Sequence, residues 1–217
     1  MKDLISASEA VAMISDGATI MFGGFMGCGN PTNMVNALLE RETTGITLIA
    51  NDCAFPSVGI GKLVVARRVK RIITSHVGTN PHVSEQMNEK FVEIELVPQG
   101  TLAERVRAAG AGLGGILTPT GVGTVVEEGK EVITVNGKAY LLELPLFADI
   151  ALLRAWKADE SGNLVFRRSA RNFNPLMAMA AKLVIAEVEE IVPVGAIDPD
   201  QVHTPSLLVD YLVQVQE

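Results

Sequence analysis

The apolar positions of this chain switch repeatedly between two periods, about 3.6 and 2, and each switch marks a change of element. Residues 6–17, SASEAVAMISDG, begin with Ser6 and Glu9 at capping-box spacing, continue with apolar residues at helical spacing and stop at Gly17. TIMFGG then reads as a buried strand, and NPTNMVNALLER as a helix with Pro31 in its first turn. The alternation continues with ITLIA as a strand ending at Asn51-Asp52, GKLVVARRV as a helix, and RIITSHV as a strand ending near His76. HVSEQMNEKF predicts a helix, VEIELVP a strand ending at Gln99, and TLAERVRAAG another helix. Strand ends recur about every 25 residues, the spacing of β-loop-α units, which predicts a parallel sheet covered by helices.

Beyond Gly110 the pattern changes. GAGLGGILTPTGVGT reads as a long loop, and its formal G-x-G-x-x-G is rejected as a dinucleotide fingerprint because it trails a helix instead of following a strand. EVITVNGKAYLLEL is a hairpin with Asn136-Gly137 in a type I′ turn, and IALLRAWKADESGNLVF reads as a second hairpin turned at Ser161-Gly162. NPLMAMAA predicts a short helix, LVIAEV a strand, and SLLVDYLVQV closes the chain as a helix or a strand. The expected fold class is α/β: one domain over residues 1–217, with a mainly parallel sheet flanked by helices and antiparallel hairpin additions.

Composition narrows the function classes. With 48% hydrophobic and 20% charged residues and a formal charge of −7, the chain is ordinary globular material without a basic face for nucleic acid. Its apolar runs fall short of the roughly 20 residues of a membrane span, and its first ten residues lack the pattern of a secretion signal, so the expected location is the cytoplasm. Cys28, Cys53, His76, His82 and His203 are scattered without metal-ligand spacing, so no metal is expected.

In a parallel sheet ligands gather beyond the carboxyl ends of the strands. That rim would hold the glycine loop, Asn51-Asp52, His76 and Gln99-Gly100. A glycine-rich turn into a helix either makes a tight crossover or offers backbone N–H groups to a phosphate or oxyanion. The Gln99 amide suits donation to a carbonyl oxygen becoming negative, or is structural; Asn51 orients a ligand or caps a helix entry. His76 lacks a triad or nucleophile elbow around it and reads as structural. Glu93 and Glu95 read as a half-exposed strand face, and Glu187, Glu189 and Glu190 as surface charge. The site is rich in donors and poor in nucleophiles.

Asp16-Gly17, Ile20-Met21-Phe22, Gly23-Gly24-Phe25 and Gly29-Asn30-Pro31 resemble the N-terminal motif of alpha (A) subunits of the family I coenzyme A transferases. The resemblance runs on through LVPQGTLAERVRAAGAG, LTPTGVGTVVEEGK, LRAWKADESGNL and SARNFNP, covering essentially the whole chain. ANDCAFPSVGIGKLV and GLGGILTPTG look like the branch acting on acetate, butyrate and acetoacetate, with succinyl-CoA:3-oxoacid and 3-oxoadipate transferases as close relatives. The resemblance implies a CoA-transferase-like fold, no permanently bound cofactor, and an acyl-CoA thioester and a short-chain carboxylate as substrates. It also implies a partner, the beta (B) subunit, in an α2β2 assembly; that partner carries the nucleophilic glutamate in a Glu-Asn-Gly context that this chain lacks. By the same resemblance Gln99 is the oxyanion donor, Asn51 a further catalytic position, and Gly23, Gly24, Phe25, Met26, Gly27, Cys28 and Gly29 form the CoA-binding loop. A non-catalytic ligand-binding module of related fold is the competing reading from another class.

Overall fold

Burying those alternating apolar residues takes a sheet with helices on both faces, and the computed structural model, which describes residues 1–215, has one. In chain order the elements are β1 (Asp3–Leu4), α1 (Ala7–Ala12), β2 (Thr19–Phe22), α2 (Thr32–Glu40), β3 (Ile46–Asp52), α3 (Gly61–Val65), β4 (Val69–His76), α4 (Pro81–Asn88) and β5 (Glu93–Leu96). There follow α5 (Gln99–Gly110), β6 (Ile116–Thr118), β7 (Val132–Val135), β8 (Lys138–Glu143), β9 (Ala148–Asp159), β10 (Leu164–Val165), α6 (Asn174–Met177), β11 (Ala181–Val192) and β12 (Tyr211–Gln214). The large sheet runs β1-β12-β11-β9-β2-β3-β4-β5, parallel along this whole path. A separate antiparallel sheet runs β6-β8-β7.

Strand residues alternate between two cores. Ile20, Phe22, Leu48 and Ile72 pack with Val11, Met34, Leu38, Leu63 and Val83 from the first four helices. Met21, Ile49, Ile73 and Leu153 pack on the other face with Leu102, Val106 and Met177 from α5 and α6. Near-continuous apolar strands are what a parallel sheet buried on both faces requires. Helix α1 starts with the expected capping box between Ser6 and Glu9. Asn136 and Gly137 turn the β7–β8 hairpin at φ of 51° and 76°, as a type I′ turn demands.

Strand order reverses between β2 and β9. From β2 the chain steps outward through β3, β4 and β5; after the small sheet it returns to the other side of β2 and steps out through β9, β11 and β12. A ligand crevice opens beside such a switch point.

Several expectations are corrected. The second hairpin does turn at Ser161-Gly162, where β10 pairs antiparallel with Lys157 and Ala158, but its first arm is longer than expected: β9 also pairs in parallel with β2 and β11. Here the alternation within β9 fixed the element but not its partners. Residues 110–124 are not one loop, because β6 pairs with β8. The closing segment forms a 3-10 turn (Ser206–Leu208) and then strand β12. Gln99 is the first residue of α5, not the end of a strand. Glu187 is fully buried, not surface charge, while Glu189 and Glu190 are exposed. The apolar run of β11 is core, with Val184, Ile185, Ala186 and Val188 all buried.

Candidate functional site

The glycine loop begins where β2 ends, and its glycines answer to the chain's own packing. Phe25 and Cys28 exchange both backbone hydrogen bonds, at 3.0 and 2.9 Å, closing a two-residue turn on Met26 (φ 50°) and Gly27 (φ 87°). Three asparagines and one aspartate hold this hairpin. Asn30 Nδ2 donates to the Gly23 carbonyl (2.7 Å), and Asn172 accepts from Gly24 N–H (3.1 Å) and donates to the Cys28 carbonyl (3.0 Å). Asn174 Nδ2 donates to the Gly29 carbonyl (3.1 Å), and Asp52 Oδ1 accepts from Met26 N–H (3.0 Å). A Cβ on Gly23 would lie 1.7 Å from Asn174 Oδ1, and one on Gly24 2.0 Å from Asn30 Nδ2. These glycines are required by close approach of side chains, and most of the loop's N–H groups are spent internally.

The helix start after the loop is also occupied. Asn33 and Met34, in the first turn of α2, donate N–H groups to Glu187 Oε2 at 2.8 and 3.1 Å. An anion does sit at this positive helix end, and it is the chain's own carboxylate. Burial pushes the Glu187 carboxyl above its usual range, against the pull of the Met34 N–H and of Arg154, whose Nη1 lies 3.0 Å from Glu187 Oε1. Sequence periodicity gave no hint of this, because Glu187 gains its partners from β9 and α2 only when the sheet assembles.

Beside the loop lies a cavity of roughly 1060 Å³. Phe25, Met26 and Cys28 reach it from the loop, Asn51 from the end of β3, and Gln99 and Arg107 from α5; Ser169, Arg171, Asn172, Phe173, Met179 and His203 belong to its lining. Of the loop, Phe25, Met26 and Cys28 line the cavity, and Gly23, Gly24, Gly27 and Gly29 do not. Gln99 Nε2 donates to Asn51 Oδ1 at 2.8 Å, and the Ser75 hydroxyl donates to the same oxygen at 3.0 Å. Asn51 is buried, so its side chain is fixed, and it aims the exposed Gln99 amide. One Gln99 amide hydrogen remains for a ligand.

Among the described residues no aspartate or glutamate belongs to the cavity lining. Asp52 is turned away, accepting from Met26 and Ala54 N–H groups, and burial raises its pKa. His76 is exposed and outside the lining. Cys53 is buried core, its thiol pushed up to about 12 by burial, and Cys28 Sγ lies 3.4 Å from Ser169 Oγ. The sequence reading assigned no site role to Arg171, Asn172 or His203. The available signal was the polar run before Pro175 in SARNFNP, three of whose members, Ser169, Arg171 and Asn172, line the cavity. The arrangement can polarise a carbonyl through aimed amides, and among the described residues it holds no carboxylate nucleophile.

Residues 4–215 match the family model described as Coenzyme A transferase. The chain is 52% identical to the alpha subunit of the acetate CoA-transferase of Escherichia coli K12, over 99% of this chain and 97% of that one. It is 49% identical to the corresponding subunit of the succinyl-CoA:3-ketoacid coenzyme A transferase of Xanthomonas campestris pv. campestris B100, over 98% and 88%. Among solved structures it superposes on the acyl-CoA transferase of Escherichia coli O157:H7 in its thioester complex with CoA, with a TM-score of 0.88 and 25% identity. That superposition covers all of this chain and 48% of the other, so the chain spans about half the length of that structure.

Proposed function

This chain belongs to the coenzyme A transferase family, and on that premise we propose that it is the alpha subunit of a heteromeric enzyme moving CoA between a short-chain acyl-CoA and a short-chain carboxylate. The observation that carries the proposal is the Gln99–Asn51 amide pair, 2.8 Å apart, in a cavity that no carboxylate lines among the described residues. The chain supplies donors, and the nucleophile comes from elsewhere. In this reading a glutamate of a beta partner attacks the thioester carbonyl, and the oxyanion that develops receives the free N–H of Gln99. Collapse expels the CoA thiolate and leaves an acyl-glutamyl anhydride. The thiolate then attacks the glutamyl carbonyl, releasing the first carboxylate and forming a glutamyl-CoA thioester. The incoming acid repeats these steps in reverse and departs as the new acyl-CoA.

Phe25, Met26 and Cys28 form the wall against which the acyl-CoA lies, and the glycines and asparagines behind them hold that wall in place. A structural match covering about half of a longer acyl-CoA transferase supports a second polypeptide completing the site. Acetate and acetoacetate are the favoured substrates, in line with the 52% identity to an acetate enzyme; the 49% identity to a succinyl-CoA:3-ketoacid enzyme keeps a succinyl donor as a second reading. The test is to assay transfer from acetoacetyl-CoA to acetate, and from succinyl-CoA to acetoacetate, with the chain alone and with its beta partner. Transfer only with the partner, with hydroxylamine trapping a partner glutamate during turnover, is expected. Transfer by this chain alone overturns the division of labour.

A further inference from the structure

Two donors in the cavity are left over once the amide pair is assigned to the reacting carbonyl. His203 Nδ1 lies 2.9 Å from the Phe166 backbone nitrogen. A backbone N–H can only donate, so Nδ1 carries no proton and the neutral ring bears its hydrogen on Nε2. The ring also stacks on Phe166, with centroids 6.2 Å apart, which fixes its plane. His203 belongs to the cavity lining, as does Arg171. Burial and the charge of Arg171 both hold the His203 pKa below its ordinary value, in keeping with a neutral ring beside a cation.

Arg171 is exposed, and among the described residues it takes part in no ion pair. The other cation of the lining, Arg107, is engaged with Glu104 at 3.1 Å. In a chain of net charge −7, a cavity that no carboxylate of the described residues lines, and that carries a guanidinium without an ion pair among them beside an oriented N–H, is arranged to receive negative charge.

We propose that Arg171 and the Nε2–H of His203 form an anion subsite that binds a second anionic group of the substrate, apart from the carbonyl held at Gln99 and Asn51. That group is a phosphate of the CoA moiety or a distal carboxylate of a dicarboxylic acyl group, two sources of one chemistry. The inference rests on the CoA-transferase reading.

The test is calorimetric binding to the complex with the beta partner, using CoA, pantetheine, succinate and acetate as probes. Arg171→Gln should weaken CoA or succinate, and not its partner probe pantetheine or acetate, by about tenfold. Loss for CoA with pantetheine unchanged assigns a phosphate, and loss for succinate with acetate unchanged assigns a carboxylate. Two replacements of His203 separate binding from structure. In His203→Asn the side-chain oxygen takes the place of Nδ1, keeping the Phe166 contact and the Tm while losing the cavity donor, so affinity for the same probe should fall severalfold. In His203→Gln the longer amide restores the donor and loses the Phe166 contact, so affinity recovers while the Tm drops. The proposal is overturned if Arg171→Gln and His203→Asn leave every affinity within about twofold, if affinity follows the Tm in both His203 variants, or if the wild-type complex binds none of the probes. Turnover is not the readout, so a complex that binds as expected yet transfers no CoA counts against the proposed reaction and not against the subsite.

Discussion

Replacing Gln99 by alanine tests the site most directly, because the structure separates its effect on catalysis from its effect on folding. Gln99 is exposed in the first turn of α5, where its side-chain bond is the 2.8 Å contact to Asn51 Oδ1. Truncation should therefore cost well under about 1 kcal/mol of stability, the range for exposed positions. Losing one oxyanion donor should lower the turnover of the complex by about 10² to 10³, equivalent to about 3–4 kcal/mol of transition-state stabilisation. Asn51→Ala should act through the same atom, since it removes the acceptor that aims the Gln99 amide. If the two residues work as a unit, the double variant should fall barely below the worse single variant, leaving a coupling energy of about 2 kcal/mol or more. Steady-state transfer from acetoacetyl-CoA to acetate, with the melting temperature measured in parallel, gives all four corners of the cycle. Multiplicative losses in the double variant refute the coupling. Turnover of Gln99→Ala within about threefold of wild type removes Gln99 from the mechanism.

Asn174 is fully buried, accepts from Arg154 N–H (3.0 Å) and donates to the Gly29 and Ala170 carbonyls (3.1 and 2.9 Å). Asn174→Ala should cost about 3 kcal/mol or more in urea unfolding by leaving buried groups unpaired; a loss under about 1 kcal/mol contradicts the clamp. Gly27→Val should be destabilising by about 2–4 kcal/mol, because φ is 87° and the new Cβ would stand 2.3 Å from Val58 Cγ1. Adding Val58→Ala should restore part of the melting temperature, and no restoration leaves backbone strain as the whole cause. Burial raises the Glu95 pKa, but hydrogen bonds from Arg105 and Arg71 win and hold it below 4.5. A depressed carboxyl pKa adds stability at pH values above the unfolded pKa, and that stability is lost as pH falls through the folded pKa. Melting temperatures taken between about pH 7 and about pH 3 should therefore show a shallower acid limb in Glu95→Gln, and identical limbs exclude the contribution.

Short-range chemistry accounts for what could be read along the chain before it folds. The Ser6–Glu9 box, the positive-φ turn at Asn136-Gly137 and the two apolar periods act within a few residues, so they mark α1, the β7–β8 hairpin and the succession from β2 to α5 without reference to the rest of the chain. Ordered motifs along the whole length also carried the family. The placement of Asn51 and Gln99 near one rim followed from the parallel-sheet rule, because Asn51 lies at the end of β3 and Gln99 soon after β5, strands that the periodicity had already located. Everything that depends on partners distant in sequence was settled by the assembled sheet. The local pattern marked the hairpin between the end of β9 and β10, but only assembly placed the rest of β9 as a parallel strand between β2 and β11. Glu187 lies inside because Arg154 and the start of α2 come to meet it, 33 and 154 residues away in the chain. Gly24 is held by Asn172 across 148 residues, and Arg171 and His203 face the same cavity as Gln99 only once the sheet has folded back beside β2. A local pattern tells a residue which face it occupies, while the group that will satisfy its charge or hydrogen bond is chosen by the topology of the sheet.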